Sequence, residues 1–323
     1  MKDIVVCLFA AAGLDKAAQG LIGAAQRLAG ESGGQVTAIL LGSGPESLAS
    51  EVAAFVETVL VADQGELAQY QPEVCLEVLS QACRELSPRA VLFSSETYNQ
   101  EIVPRLAHRL GGSAVGDAIA LGLDGGSLRA TRQVYGGKAQ AVVEMKRSPG
   151  VAWLRARSFA PAATGPTQGE IKALQIIPGE SANSRIVERR TEGAGQVRLE
   201  DARVIVAGGR GIGGSELFQQ ELAPLAQVLG GQIAATRAAC DAGWVPALLQ
   251  VGTTGKKVAP DLYLAIAVSG ASQHTAGISD AKNIVAINTD PEASIFKYCR
   301  FGMVGDFRKV VPLLRERLTT LCQ

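Results

Sequence analysis

The chain has 323 residues, 47% of them hydrophobic, and balances 31 Lys and Arg against 31 Asp and Glu with only two histidines. That length suffices for two domains of ordinary size and a large buried core. An even charge balance without like-charge blocks gives no field for nucleic acid or an anionic membrane, so neither is expected as a partner.

The start, "MKDIVVCLFAAAG", has one Lys before a short apolar run and reads as a first β-strand, not as a signal or transit peptide. "IVVCLF" (Ile4 to Phe9), an amphipathic helix bearing Leu21, Ala25 and Leu28, and "QVTAILLG" (Gln35 to Gly42) then follow in βαβ order. This order implies a parallel sheet with right-handed crossovers, which "ETVLVAD" (Glu57 to Asp63) and "RAVLFSS" (Arg89 to Ser95) extend. From Ala114 the runs "VGDAIALGL", "SLRATRQVYGG", "AQAVVEMKR" and "GVAWLRARSF", divided by Gly-rich turns, predict an antiparallel extension of the same domain.

Pro161 to Leu199 is rich in Pro, Gly, Ser and charge without periodicity, and reads as a linker or edge segment. "ARVIVAGG" (Ala202 to Gly209) opens a second βα series, with strands predicted at Gln232–Ala235, Leu262–Val268, Asn283–Ile287 and Gly302–Val304 and a closing helix at Phe307–Leu321. Five parallel strands with helices on both faces make a doubly wound sheet whose ligand crevice lies at the carboxyl ends of the strands. The expected domains are residues 1–199, linker included, and 200–323. No run of 18 apolar residues occurs, so a cytoplasmic protein without membrane insertion is expected. The six cysteines form no C-x-x-C pair and no zinc spacing, and read as reduced thiols.

The unusual residues of the second half fall at strand ends. In "GGRGIGGSE", Gly209, Gly211 and Gly214 satisfy G-x-G-x-x-G after a strand, where backbone amides can approach a pyrophosphate. An NAD site also wants an acidic residue at the end of the second strand, but that strand ends in Thr236 and Arg237, with Asp241 too late. Arg237 reads either as a surface ion-pair partner or as a fixed cation beside an anionic ligand. "QVGTTGKKVAP" is not a P-loop; it is a Gly-rich turn or a pair of hydroxyls, Thr253 and Thr254, aimed at a ligand.

"VSGASQHTAG" follows a strong apolar strand and suits a helix start with clearance for a ligand, where His274 could donate to a carbonyl or ring nitrogen. A lone histidine is more often structural, and His108 is read that way. Asn288 and Asp290 stand at a strand end, while Asp306 suits an N-cap for the closing helix. The sequence carries no nucleophile elbow, metal cluster or paired carboxylates, which favours a bound cofactor as the source of chemistry and gives no catalytic or metal-binding residue. An NAD-dependent oxidoreductase and a nucleotide-binding regulatory subunit without redox activity stay open on these residues alone.

The ordered set "VIVAGGRG", "TRAACDAGWVP", "QVGTTGKKVAPDLYLAIAVSGASQH", "IVAINTDPEASIF" and "GMVGDFRKVVP" closely resembles the electron transfer flavoprotein alpha subunit family. With "YGGKAQAVVEMK" and "RARSF" upstream, the resemblance covers essentially the whole chain. It implies a nucleotide-hydrolase-like N-terminal α/β domain that contacts a beta subunit, and a C-terminal domain that holds FAD. It also implies an electron carrier instead of a stand-alone enzyme, exchanging electrons with an acyl-CoA dehydrogenase or a similar flavoprotein dehydrogenase. "KYCRFGMVGD", with Gly305, leans toward the bifurcating and nitrogen-fixation branch, in which NADH, ferredoxin or a quinone oxidoreductase take part.

Residue by residue, the resemblance puts Arg210 at the pyrophosphate and Arg237 over the flavin ring, with Thr236 keeping the hydroxyl of the family's usual Ser. Val251, Gly252, Thr253 and Thr254 count as cofactor-binding residues, with Thr254 near N5. Ser269, Gly270, Ala271 and Ser272 meet the phosphates or ribityl chain, Gln273 and His274 the pyrimidine edge, and Asn288 and Asp306 the adenosine end. A cation or donor at the ring edge favours the negatively charged reduced ring, so Arg237 and His274 are expected to raise the potential for the first electron.

Overall fold

The computed structural model describes residues 3–135, 137, 139–165, 168–174, 187–188 and 198–321. The chain divides into two compact units: Met1–Val134 with Gln140–Arg190, and Thr191–Gln323 with the short stretch Tyr135–Ala139.

The first unit is built on β1 (Ile4–Phe9), α1 (Lys16–Ser32), β2 (Val36–Gly42), α2 (Glu46–Val52), β3 (Thr58–Asp63), α3 (Pro72–Leu86), β4 (Ala90–Phe93) and α4 (Thr97–Arg109). Then follow β5 (Ser113–Asp124), β6 (Ser127–Val134), β7 (Ala139–Met145), β8 (Gly150–Leu154) and β9 (Glu170–Ala173). The described strands form one nine-stranded sheet in the order β7-β6-β5-β8-β4-β1-β2-β3-β9. Its centre is apolar on both sides because helices cover both faces. Ile4, Val6 and Leu8 of β1 pack with α1 and α2, while Val5 and Cys7 pack with α3 and α4. Cys75 and Cys83 of α3 are buried in that second layer. Asp15 caps α1 by accepting from the Ala18 amide at 2.8 Å, and Gly33 ends it in the left-handed conformation.

One expectation changes, and one alternative is decided. β8, expected in the antiparallel extension, is inserted parallel between β4 and β5, and β6 pairs antiparallel with β5, with β7 beyond it. Hydrophobic alternation marks a strand but does not name its neighbour, and β8 returns to the buried middle because "GVAWL" can be covered on both faces. Much of 161–199 lies outside the described residues, but Glu170–Ala173 within it forms β9, the outer strand beside β3.

Strand order reverses in this sheet between β1 and β4, the place where doubly wound folds open a crevice. Here the chain leaves only a water-sized space, lined by Gly20, Ser94, Arg155 and Phe159. Phe9, Tyr70 and Tyr98 cluster at one end, with Phe9 meeting Tyr98 edge to face at 4.8 Å between centroids. The segment after β8 lies along α1: the Ala162 amide donates to the Gln19 carbonyl at 2.9 Å, and a side chain at Gly23 would collide with the Ala160 carbonyl. Its root is held by Arg155, 7% exposed, which donates from Nε and Nη2 to both carboxylate oxygens of Asp117 at 2.8 and 2.6 Å and from Nη1 to Gln133 at 2.8 Å.

The second unit carries β10 (Val204–Gly208), α5 (Ser215–Leu217), one π-turn (Phe218–Leu222), α6 (Ala223–Val228), β11 (Gln232–Ala235) and α7 (Arg237–Asp241). It continues with β12 (Leu262–Ile266), α8 (Ser272–Thr275), β13 (Ile284–Asn288), β14 (Phe301–Val304) and α9 (Phe307–Leu321). All pairings are parallel, in the order β11-β10-β12-β13-β14. Ile205, Ala207, Tyr263 and Ala265 face one core layer and Val206, Leu264 and Ile266 the other, as strands buried on both faces require. No helix among the described residues is long and apolar enough to cross a membrane.

Candidate functional site

In the second sheet the order is that of the flavodoxin-like fold, second strand, first, third, fourth, fifth, with its switch point between β10 and β12. The loops after these two strands meet backbone to backbone. The Gly209 amide donates to the Ile266 carbonyl at 3.0 Å, and a side chain at Gly209 would collide with the Ala267 carbonyl. Ala267 itself takes a left-handed conformation, φ +52°, which is costly for a residue with a Cβ. Gly214, by contrast, faces open space on an extended backbone. The Gly-rich loop is therefore pinned at one end and open at the other.

Around this crevice the expected residues separate by exposure. Arg210, Arg237, Thr253, Thr254, Ser269, Ala271, Ser272 and Gln273 are exposed, whereas Val251, Gly252, Gly270 and His274 are buried beneath them. Arg237, at the end of β11, makes one ion pair with Asp241 at 3.3 Å; both side chains are more than half exposed, so the pair is worth well under about 1 kcal/mol and leaves the guanidinium available. Beside it the Thr236 hydroxyl is buried without a hydrogen-bond partner. Such an orphan is expensive unless a ligand satisfies it.

The loop 250–256 is tied down tightly. The Lys256 amide donates to the Gln250 carbonyl at 2.7 Å, and the Thr253 amide and hydroxyl both donate to the Gln273 carbonyl, at 2.8 and 3.1 Å. Thr253 is thus used inside the protein, and of the two expected ligand-facing hydroxyls Thr254 remains. The helix expected after "SGA" is a single turn, α8, so its macrodipole contributes little.

His274 requires a correction. Its Nδ1 lies 3.1 Å from the Val251 carbonyl and its Nε2 3.0 Å from the Tyr263 hydroxyl. A carbonyl only accepts, so Nδ1 carries the proton; the bare Nε2 then accepts from Tyr263. Burial holds the histidine pKa down, from 6.5 to about 4, and pushes that of Tyr263 up, so the ring is neutral and the phenol protonated at neutral pH. The imidazole has no N–H left for a cofactor, and its role as donor at the ring edge falls. What it does is fasten the 250–256 loop to the core.

The remaining expected residues stand further along. Asn288 ends β13 with its amide nitrogen on the Val268 carbonyl at 2.9 Å and its oxygen accepting from the Asp290 amide at 3.0 Å. Asp306 follows the edge strand β14 and accepts from the Arg308 amide at 3.0 Å, the N-cap geometry. Sequence reasoning passed over Gln250, Tyr263 and Ala267. Gln250 carried the one readable signal, an amide beside a Gly-Thr-Thr-Gly turn.

An open crevice at the switch point of a doubly wound sheet, edged by two exposed arginines, close-packed glycines and an orphan hydroxyl, defines a protein that binds an anionic, nucleotide-bearing cofactor. Comparison with known proteins makes this specific. The electron transfer flavoprotein domain matches residues 5–178, and the electron transfer flavoprotein FAD-binding domain matches residues 198–279. The electron transfer flavoprotein subunit alpha of Thermoanaerobacterium thermosaccharolyticum is 37% identical over 306 residues, covering 93% of this chain and 92% of the relative. That of Bacillus subtilis is 36% identical over 304 residues, and the protein FixB of Clostridium saccharobutylicum 35% over 306, each covering 93% of this chain and more than nine-tenths of the relative. The chain belongs to the electron transfer flavoprotein alpha subunit family, and its cofactor is FAD.

Proposed function

We propose that this chain holds FAD in the crevice between β10 and β12 and works in the cytoplasm as one half of a heterodimer with an electron transfer flavoprotein beta subunit. When bound, the flavin ring takes up and releases electrons singly or in pairs. The protein positions the cofactor and sets its electrostatics. Arg210 and the amides of residues 210, 211, 213 and 214 face the pyrophosphate, Arg237 the ring, and Thr254 a ring acceptor, while the amides of Gly209 and Ile212 are spent inside the protein. Ser269 to Gln273 lie against the ribityl chain and pyrimidine edge, and Asn288 and Asp306 toward the adenosine end. Thr236 gains the partner it lacks. The orphaned Thr236 hydroxyl beside an exposed Arg237 is the observation that carries this reading.

The donor in this reading is a flavoprotein dehydrogenase such as an acyl-CoA dehydrogenase. A second reading, a bifurcating complex that takes electrons from NADH and serves ferredoxin and a quinone oxidoreductase, is favoured by the stretch "KYCRFGMVGD" with Gly305. The test is co-expression with the beta subunit and an absorption spectrum of the complex. Flavin bands at about 450 nm that bleach on reduction are expected, and Arg237→Ala should lower the potential of the bound flavin. A colourless complex would overturn the reading.

A further inference from the structure

Gln250 is 9% exposed, yet its side chain reaches the surface turn: Nε2 donates to the Thr254 hydroxyl oxygen at 2.9 Å. An amide nitrogen can only donate, so the hydroxyl must be the acceptor, and its own proton is left for something else. No other described group hydrogen-bonds that hydroxyl, and Thr254 is exposed at the crevice. We propose that Gln250 is a positioning residue that fixes the polarity of Thr254, locking its hydroxyl as a donor toward the flavin ring. The inference rests on the FAD reading above and adds a residue to it.

The surroundings make the lock firm. The backbone of Gln250 continues the sheet beside Ala235 at the end of β11, and its carbonyl accepts from Lys256. Gly255 packs so closely that a side chain there would stand 2.9 Å from Gln250 Cγ, which limits the rotamers the glutamine can take. From below, His274 holds the Val251 carbonyl, and from the side Thr253 is tied to Gln273. A free threonine hydroxyl rotates to suit its partner. One that already accepts from a buried amide suits a ring nitrogen that offers a lone pair and disfavours one that has gained a proton.

The experiment uses the complex with its beta subunit, loaded with isotope-labelled flavin, and reads the nitrogen NMR resonance of the ring together with FAD content. Thr254→Val removes the donor and should shift the ring-nitrogen resonance away from its hydrogen-bonded position while FAD is retained. Gln250→Met should shift it in the same direction, and the double variant should go no further than Thr254→Val alone. Gln250→Glu keeps the size but replaces the donor with an acceptor, turning the threonine proton inward, and should give the same shift.

An unmoved resonance in both Gln250 variants overturns the proposal, as does a resonance that Thr254→Val leaves in place. Loss of FAD from both Gln250 variants while Thr254→Val keeps it also overturns it, because the glutamine would then be scaffold. A wild-type complex that takes up no flavin fails the underlying reading, an outcome separate from these.

Discussion

The two sheets of this protein share one device and use it in opposite ways. Each reverses its strand order once, between β1 and β4 in the first unit and between β10 and β12 in the second. In the first, aromatic rings and the segment after β8 occupy the crevice, with a buried arginine paired to a carboxylate at its root. In the second, the loops after β10 and β12 meet backbone to backbone at Gly209 and Ala267, and Arg210 and Arg237 stay exposed, with an orphan hydroxyl on Thr236 next to Arg237. Topology makes the opening in both; the side chains that fill it or leave it clear decide which becomes a site.

The strongest way to break the comparison is to attack the plug. Asp117→Ala leaves the Arg155 cation buried without its carboxylate, and a loss of about 3–5 kcal/mol in urea unfolding is expected. The FAD content of whatever remains folded should be unchanged, because the holding residues belong to the other unit. A loss below about 1 kcal/mol would mean that the first crevice is not held by this pair.

The second test concerns His274. Its folded pKa lies below the unfolded value, so its contribution is complete above pH 6.5 and drains away as pH falls toward about 4, because the unfolded chain takes up the proton first. From about pH 7.5 to about pH 5.5 this site should cost about 1 kcal/mol, and His274→Gln should flatten that part of the slope. Equal slopes in the two proteins would show that the ring is not held neutral between Tyr263 and Val251.

The smallest effect is expected at Ala267. Relief of its left-handed backbone outweighs the added freedom of glycine in the unfolded chain, so Ala267→Gly should gain about 0.5 kcal/mol. A loss measured by thermal unfolding would show instead that the methyl group supports the Gly-rich loop.

The sequence was informative where the physics is local. Strands buried on both faces announced themselves as β-branched runs, and the closing helix Phe307–Leu321 came out with the bounds expected for it. The crevice residues were legible because glycines, hydroxyls and an arginine stood at successive strand ends. Pairing partners were not legible: nothing inside "GVAWL" says that it lies between β4 and β5. The His274 tautomer was equally hidden, since it is decided by a tyrosine 11 positions earlier and a carbonyl 23 positions earlier that only the fold brings to the ring. Gln250 stands directly before the Val-Gly-Thr-Thr-Gly turn, but its meaning needed a distance.

The cysteines, finally, bear on durability. Burial pushes every thiol among the described residues up: Cys75 to about 11 and Cys83 to about 12, with Cys7, Cys240 and Cys299 raised as well. Reduced flavins pass electrons to dioxygen and leave peroxide behind, and peroxide attacks thiolate far faster than thiol. Sulfur kept protonated is a poor target, so in air the cysteines of this protein should oxidise slowly.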